Sequence, residues 1–149
     1  MAPKLVSACL LGVECAYNGK DNTCQYLVDK LKGEQIIPIC PEQLGGLTTP
    51  RDRARIVGGE GNDVLDGTAK VMTYKGVDVT PQYLKGGQEA LKIAQLVGAD
   101  EAILKAFSPS CGCGEIFTED FEGKKPGNGT TTALFKRKGI KVTTELDHK

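Results

Sequence analysis

The chain has 149 residues, the length of one ordinary domain and enough to bury a core without disulfide staples. Its 19 Lys and Arg balance 19 Asp and Glu, Trp is absent and aromatics make up 5%. General nucleic-acid binding is therefore disfavoured, because neither a basic surface for phosphates nor a set of stacking platforms is supplied.

Met1 to Cys9 reads as a first strand. Its apolar run, Leu5 to Val13, superficially resembles the start of a signal peptide, but it is short, carries Ser7 and Cys9, lacks a cleavage site and leads into Glu14. No other segment approaches membrane-spanning length, so the expected compartment is the cytosol, with no membrane partner. Thiols stay reduced there, and six cysteines point to metal or catalysis more than to disulfides.

Leu10 to Asn22 is a loop holding Gly12, Cys15 and the tight turn Tyr17-Asn18-Gly19. Tyr26, Leu27 and Leu31 recur at helical spacing over Thr23 to Lys32, and Gly33 is a stop; Cys24 reads as a small buried residue of that helix. Gln35 to Ile39 is the second strand. Cys40-Pro41-Glu42 then opens a loop through Gly45-Gly46 to Pro50-Arg51, with Pro41 stiffening the turn beside the thiol. Arg51 reads equally as a surface charge or a phosphate clamp. Gly and Asp-Gly punctuation between Ile56 and Val79 marks a small antiparallel hairpin.

Thr80-Pro81 starts a helix to about Val97, with Thr80 as N-cap, Pro81 in the first turn and Gly98 as the stop. Gly86-Gly87 allows close backbone packing on it. The strand Ala102 to Phe107 follows and leads into Ser108-Pro109-Ser110-Cys111-Gly112-Cys113-Gly114, a loop rich in thiols and hydroxyls. Ile116 to Gly123 is irregular, Thr130 to Lys138 is a last helix and Ile140 to Thr143 a last strand. The turn Gly127-Asn128-Gly129 before that helix is weak support for a phosphate cradle. Strands alternating with helices imply right-handed crossovers and a three-layer α/β domain with a mostly parallel sheet and a small β-hairpin insertion, the whole of 1–149 forming one domain.

Ligands collect outside the carboxyl ends of the strands of such a sheet. Cys9, Cys40 and Cys111 each stand at or just past such an end, and three thiolates facing one point repel unless a cation holds them. Paired C-x-x-C knuckles are missing and the single His, His148, lies near the end of the chain, so zinc is the weaker reading. Thiolates delivered one at a time suit an iron-sulfur cluster, with Cys15 or Cys113 as a fourth ligand or with one iron left open as a Lewis acid. Glu42 is placed to move a proton or activate water, and Ser108 and Ser110 to orient a substrate or merely to cap the loop.

Several motifs resemble the thiouracil desulfidase family across nearly the whole chain. They are Ser7-Ala8-Cys9-Leu10-Leu11-Gly12 with Cys15 and Tyr17-Asn18-Gly19, Cys40-Pro41-Glu42 with Gly45-Gly46-Leu47 and Pro50-Arg51, Asp78-Val79-Thr80, Ile103-Leu104-Lys105, Ser108-Pro109-Ser110-Cys111-Gly112 and Pro126-Gly127-Asn128-Gly129. The resemblance implies a Rossmann-like domain with a 4Fe-4S cluster on Cys9, Cys40 and Cys111, Cys15 being the other matching cysteine, and catalytic roles for Glu42 and Ser108. Cys24 and Cys113 fall outside the pattern. The implied activity is non-redox desulfuration of a small thiolated pyrimidine, thiouracil or its nucleoside or nucleotide, to uracil and sulfide. Asp52-Arg53-Ala54-Arg55 and Phe117-Thr118-Glu119-Asp120-Phe121 depart from the family pattern in loops that can line a pocket. The rival class is a non-catalytic iron-sulfur or zinc binding module, or an electron carrier, and open coordination separates the two.

Overall fold

The structure is a computed structural model that describes residues 2–149. Its centre is a four-stranded, all-parallel sheet of β1 (Lys4–Ser7), β2 (Ile36–Ile39), β5 (Glu101–Leu104) and β8 (Lys141–Thr144), in the order β2-β1-β5-β8. Strand β1 lies in the middle, with Lys4 opposite Ile36 on one side and Glu101 on the other. Leu5 and Val6 are adjacent and both fully buried, because layers cover both faces of a parallel sheet. Pro38 fits into β2 because that strand is an edge, where a missing N–H costs no ladder bond.

Alternation along the strands sorts the core into two layers. Leu5, Ile39, Ala102, Leu104 and Val142 face α4 (Thr80–Val97) and α5 (Thr130–Arg137) through Ala90, Leu91, Ala94 and Phe135, with Leu44 of α2 (Pro41–Leu44) at the margin. Val6 and Ile103 point the other way, onto Leu27 of α1 (Gln25–Lys30) and onto Leu10 and Leu31. The three-layer arrangement expected from the sequence is thus present.

The insertion is larger than a plain hairpin. β3 (Ala54–Val57) pairs antiparallel with β4 (Lys70–Thr73), and their connection contains the short helix α3 (Gly61–Leu65). Gly58, Gly59 and Gly61 make that segment read as turn, yet Glu60 and Asp63 close a reciprocal capping box that starts the helix. This unit has its own apolar cluster of Ile56, Val64, Val71, Val79, Tyr83 and Ile116. A second hairpin, β6 (Glu115–Phe117) with β7 (Lys124–Pro126), occupies the stretch expected to be irregular; strands of three residues are too short to show alternation.

Other boundaries shift for local reasons. Cys9 lies not on β1 but in a 3-10 turn, Ala8–Leu11, closed by Gly12 at φ 103°. Cys40-Pro41-Glu42 opens the short helix α2 instead of a loop. Thr80 does not cap its helix: its hydroxyl accepts from Val71 N–H at 2.9 Å, and Asp78 Oδ1 accepts from Thr80 N–H. Among the described residues no helix is long and apolar enough to cross a membrane.

Helices α2 and α4 cross backbone to backbone. A Cβ on Gly86 would overlap the Pro41 carbonyl, and one on Gly45 would overlap the Gln82 carbonyl, whereas one on Gly87 would meet Thr131 Oγ1 at 3.3 Å. Gly86→Ala gains about 1 kcal/mol of helix propensity but forces two main chains apart. A net destabilisation of about 2 kcal/mol is expected in urea unfolding, with Gly87→Ala clearly milder; equal midpoints for the two variants would refute the close crossing.

Candidate functional site

Strands β2, β1 and β5 are neighbours, so their carboxyl ends release three chain segments at one edge. From β1 comes the 3-10 turn carrying Cys9, followed by the loop of Cys15. Asn22 N–H donates to Cys9 O at 2.9 Å and Cys15 N–H to Val13 O at 2.8 Å, which folds this loop back over the strand end. From β2 comes Cys40, the residue just before α2, with Glu42 in the first turn of that helix.

From β5 comes the Ser108–Cys111 turn. Ser108 closes it from inside: its Oγ accepts from Cys111 N–H at 2.8 Å and its carbonyl accepts from Gly112 N–H at 2.9 Å. Helix α5 holds it from outside. Thr130 N–H donates to Pro109 O, Thr131 and Thr132 N–H donate to Ser110 O, and Thr132 Oγ1 donates to Cys111 O at 2.8 Å. The glycine turn before α5 therefore holds no anion. Gly129 touches the Ser110 backbone where a Cβ would not fit, and the first N–H groups of the helix are taken by loop carbonyls.

The three segments enclose a cavity of about 250 Å³ lined by Cys9, Cys15, Cys40 and Cys111 together with Glu42 and Ser108. Of the residues singled out from the sequence for ligand or catalytic roles, Ser110 lies behind the wall, 1% exposed, whereas these six share one site. Cys113 does not: its thiol points to Val142 O at 3.6 Å, behind the sheet. Cys24, half-buried, packs with the α1 layer. His148 is bonded to Thr143 and Lys30, away from the cavity lining.

The thiols fall into two environments. Cys15 is 2% exposed and sits against Cys40 and Cys9. Contact with those two sulfurs, then burial, holds its thiol protonated well above the usual cysteine range. The same contact from Cys15 draws Cys9 down, helped by Asn22 and Lys105, and draws Cys40 down, helped by Gln43 N–H and Arg51. Cys111 is pushed up to about 12 by burial and by Glu42, against hydrogen bonds from Ser110 and Ser7. Ser110 Oγ lies 3.4 Å and Ser7 Oγ 3.6 Å from its sulfur, so two hydroxyls are aimed at the place where thiolate charge would develop.

Arg51 is neither a surface charge nor free to clamp a phosphate. Its side chain is 8% exposed, donates to Cys15 O at 2.9 Å and to Thr48 O and Thr49 Oγ1, and stands 4.0 Å from the Glu42 carboxylate. It ties the Cys15 loop to α2 and faces the one acid of the cavity wall that adjoins a cysteine turn. Three further wall residues, Lys105, Tyr83 and Arg53, were assigned no role from the sequence. Lys105 had a visible signal, a charge inside an apolar run. Arg53 lay in Asp52–Arg55, a departure from the family pattern in a loop that can line a pocket; its guanidinium rests 4.4 Å from the Phe121 ring centre, 4.8 Å from Phe117 and 5.9 Å from Tyr17, at the outer wall.

The donor set fits an iron-sulfur cluster better than zinc: soft sulfurs converge singly from three strand ends, no imidazole is at hand, and hydroxyls already point at Cys111.

The chain is 46% identical over 142 residues to the uncharacterised protein YbbK of Bacillus subtilis (strain 168), covering 95% of this chain and 94% of that one. Its fold is similar to a solved structure of the 4Fe-4S-dependent thiouracil desulfidase TudS, with a TM-score of 0.85, 39% identity, and coverage of 99% of this chain and 93% of the other. The sequence pattern of the 2-thiouracil desulfurases matches residues 5–147, and the chain belongs to that family.

Proposed function

We propose that this chain, as a single 1–149 domain, is a 4Fe-4S-dependent desulfidase that converts a thiolated uracil, as base, nucleoside or nucleotide, to uracil and sulfide. The observation that carries the reading is the shared cavity: thiols from three neighbouring strand ends, a carboxylate and a hydroxyl line one space large enough for a small ring. An electron carrier has no use for such a space, nor for an acid and a serine in its wall.

Cys9, Cys40 and Cys111 are the proposed cluster ligands, because each is carried by the segment that leaves one of three adjacent strands, Cys111 in the turn beyond β5 and Cys40 and Cys9 just after β2 and β1. Cys15 comes from the following loop and supports Cys9 and Cys40 from beneath. Held by these three residues, a cluster would supply a soft, open iron as a Lewis acid toward sulfur. The other parts of the reaction fall to the chain. Glu42, 12% exposed and oriented by Arg51, accepts a proton from water as its oxygen adds to the thiocarbonyl carbon. Ser108 accepts from Cys111 N–H and lies 3.4 Å from Ser110 Oγ, so its hydroxyl proton can turn from Ser110 to the ring while the thiol turn stays fixed. Sheet-end burial limits water to what the cavity admits.

Anaerobic reconstitution tests the ligand set. Ser in place of Cys9, Cys40 or Cys111 is expected to abolish the full iron and sulfide count, whereas Cys15→Ser, Cys24→Ser and Cys113→Ser retain it. One zinc and no iron, or ligation by four cysteines, would overturn the reading. Glu42→Gln is expected to keep the cluster and lose about 10²-fold or more in sulfide release from thiouracil. Unchanged turnover in that variant would remove Glu42 from the mechanism.

A further inference from the structure

Strand β5 ends at Leu104, and the next residue, Lys105, turns its side chain along the cavity wall. Its backbone is fixed first: Lys105 N–H donates to Ser7 Oγ at 2.9 Å, the same hydroxyl that reaches Cys111. Its ammonium is then fixed by Glu145, whose Oε2 lies 3.2 Å away, and by Ala106 O at 3.2 Å.

Glu145 belongs to the 3-10 turn that follows β8, far from Lys105 in sequence, and is only 7% exposed. Its other oxygen accepts from Ala106 N–H at 2.8 Å, and its carbonyl accepts from the Tyr26 hydroxyl at 2.7 Å. One buried carboxylate thus holds both the ammonium of Lys105 and the main chain just after it. An ion pair with a buried carboxylate and a part-exposed ammonium is weak evidence for stability. Its effect here is to place a cation. An ammonium has three hydrogens; two are taken by Glu145 and Ala106, and the third, with no partner among the described residues, is open to water or to a molecule in the cavity that Lys105 lines.

We propose that Lys105, held in place by Glu145, is a further catalytic residue that stabilises the negative charge developing on the thiolated ring. This rests on the desulfidase reading above. As the water oxygen bonds to the thiocarbonyl carbon, Glu42 takes one proton and the C=S electron pair moves onto sulfur. When the adduct collapses, the C=O bond forms, the C–S bond breaks and the remaining hydroxyl proton leaves with sulfur as hydrosulfide. Oxidation states are unchanged, and Lys105 keeps its proton throughout. A cation fixed in the cavity wall acts most strongly where charge appears during reaction and more weakly on the neutral ground state.

The test uses the reconstituted holoprotein with 2-thiouracil and reads kcat, KM, iron per chain and thermal midpoint for Lys105→Met, Lys105→Arg and Glu145→Gln. Lys105→Met is expected to lose about 10²-fold in kcat, with KM and iron count near those of the unmodified chain. Lys105→Arg recovers much of the loss, and Glu145→Gln, which keeps a partner for Ala106 N–H, falls between. Unchanged kcat in Lys105→Met, or a loss that follows iron content or thermal midpoint in all three variants, overturns the proposal and leaves the desulfidase reading intact. Absence of sulfide release from the unmodified, fully loaded chain overturns that reading and this proposal with it.

Discussion

The contact on which the site most depends is the approach of Gly129 to the Ser110–Cys111 main chain, where a Cβ would overlap backbone atoms. It lets the first turn of α5 give its N–H groups to the loop carbonyls, and so a loop of polar residues can be buried without orphaned peptide groups. Cys111 can then be 4% exposed and still keep one orientation. A second approach of the same kind, Gly86 on Pro41, sets α2 and with it Cys40 and Glu42. Both are backbone contacts, which repack less readily than side chains, so the thiols are positioned by the frame of the fold and not by their own packing.

Crowded sulfurs need compensation, and the structure supplies it from outside the cysteine motifs. Cys15 lowers both Cys40 and Cys9 most, and cations add to it: Arg51 arrives from the loop after α2 beside Cys40, and Lys105 from the end of β5 beside Cys9. Each cation is itself fixed by a carboxylate, Glu42 at 4.0 Å and Glu145 at 3.2 Å. The two carboxylates differ in surroundings: Glu145 is spent on the ion pair and the Ala106 amide, whereas Glu42 borders the cavity and the thiols. That difference suits one to hold and the other to exchange a proton.

What could be read from the sequence was the frame. Apolar runs ending in Cys9, Cys40 and Cys111 gave the parallel strands and their common edge, because strand ends and crossovers obey rules that need only residue order. The Gly86-Gly87 pair was legible for the same reason. Partners distant in sequence were not legible. Arg51 carries no local mark that distinguishes a buried tie from a surface charge, and Glu145 looks like one more acid near the end of the chain until β8 brings it under Lys105. Gly127-Asn128-Gly129 resembled an anion turn because the pattern of a helix start is the same whether its N–H groups meet phosphate or a neighbouring loop. The hairpin β6–β7 was lost to its shortness.

The site divides into two parts of separate origin. The inner wall, with all four thiols, belongs to the sheet edge, and the outer wall, with Arg53, Ala54 and Phe117, belongs to the two hairpins. The β3–β4 unit packs on its own apolar cluster, shared with Tyr83 of α4 and Ile116 of β6, and is joined to the turn before α5 by Gly61 N–H on Asn128 O. Arg53 and Phe117 lie in the two stretches where the chain departs from the family pattern, and Arg53 is packed among three rings with no ion pair among the described residues. The departures from the family pattern thus fall on the outer wall, while the thiols lie on the inner wall.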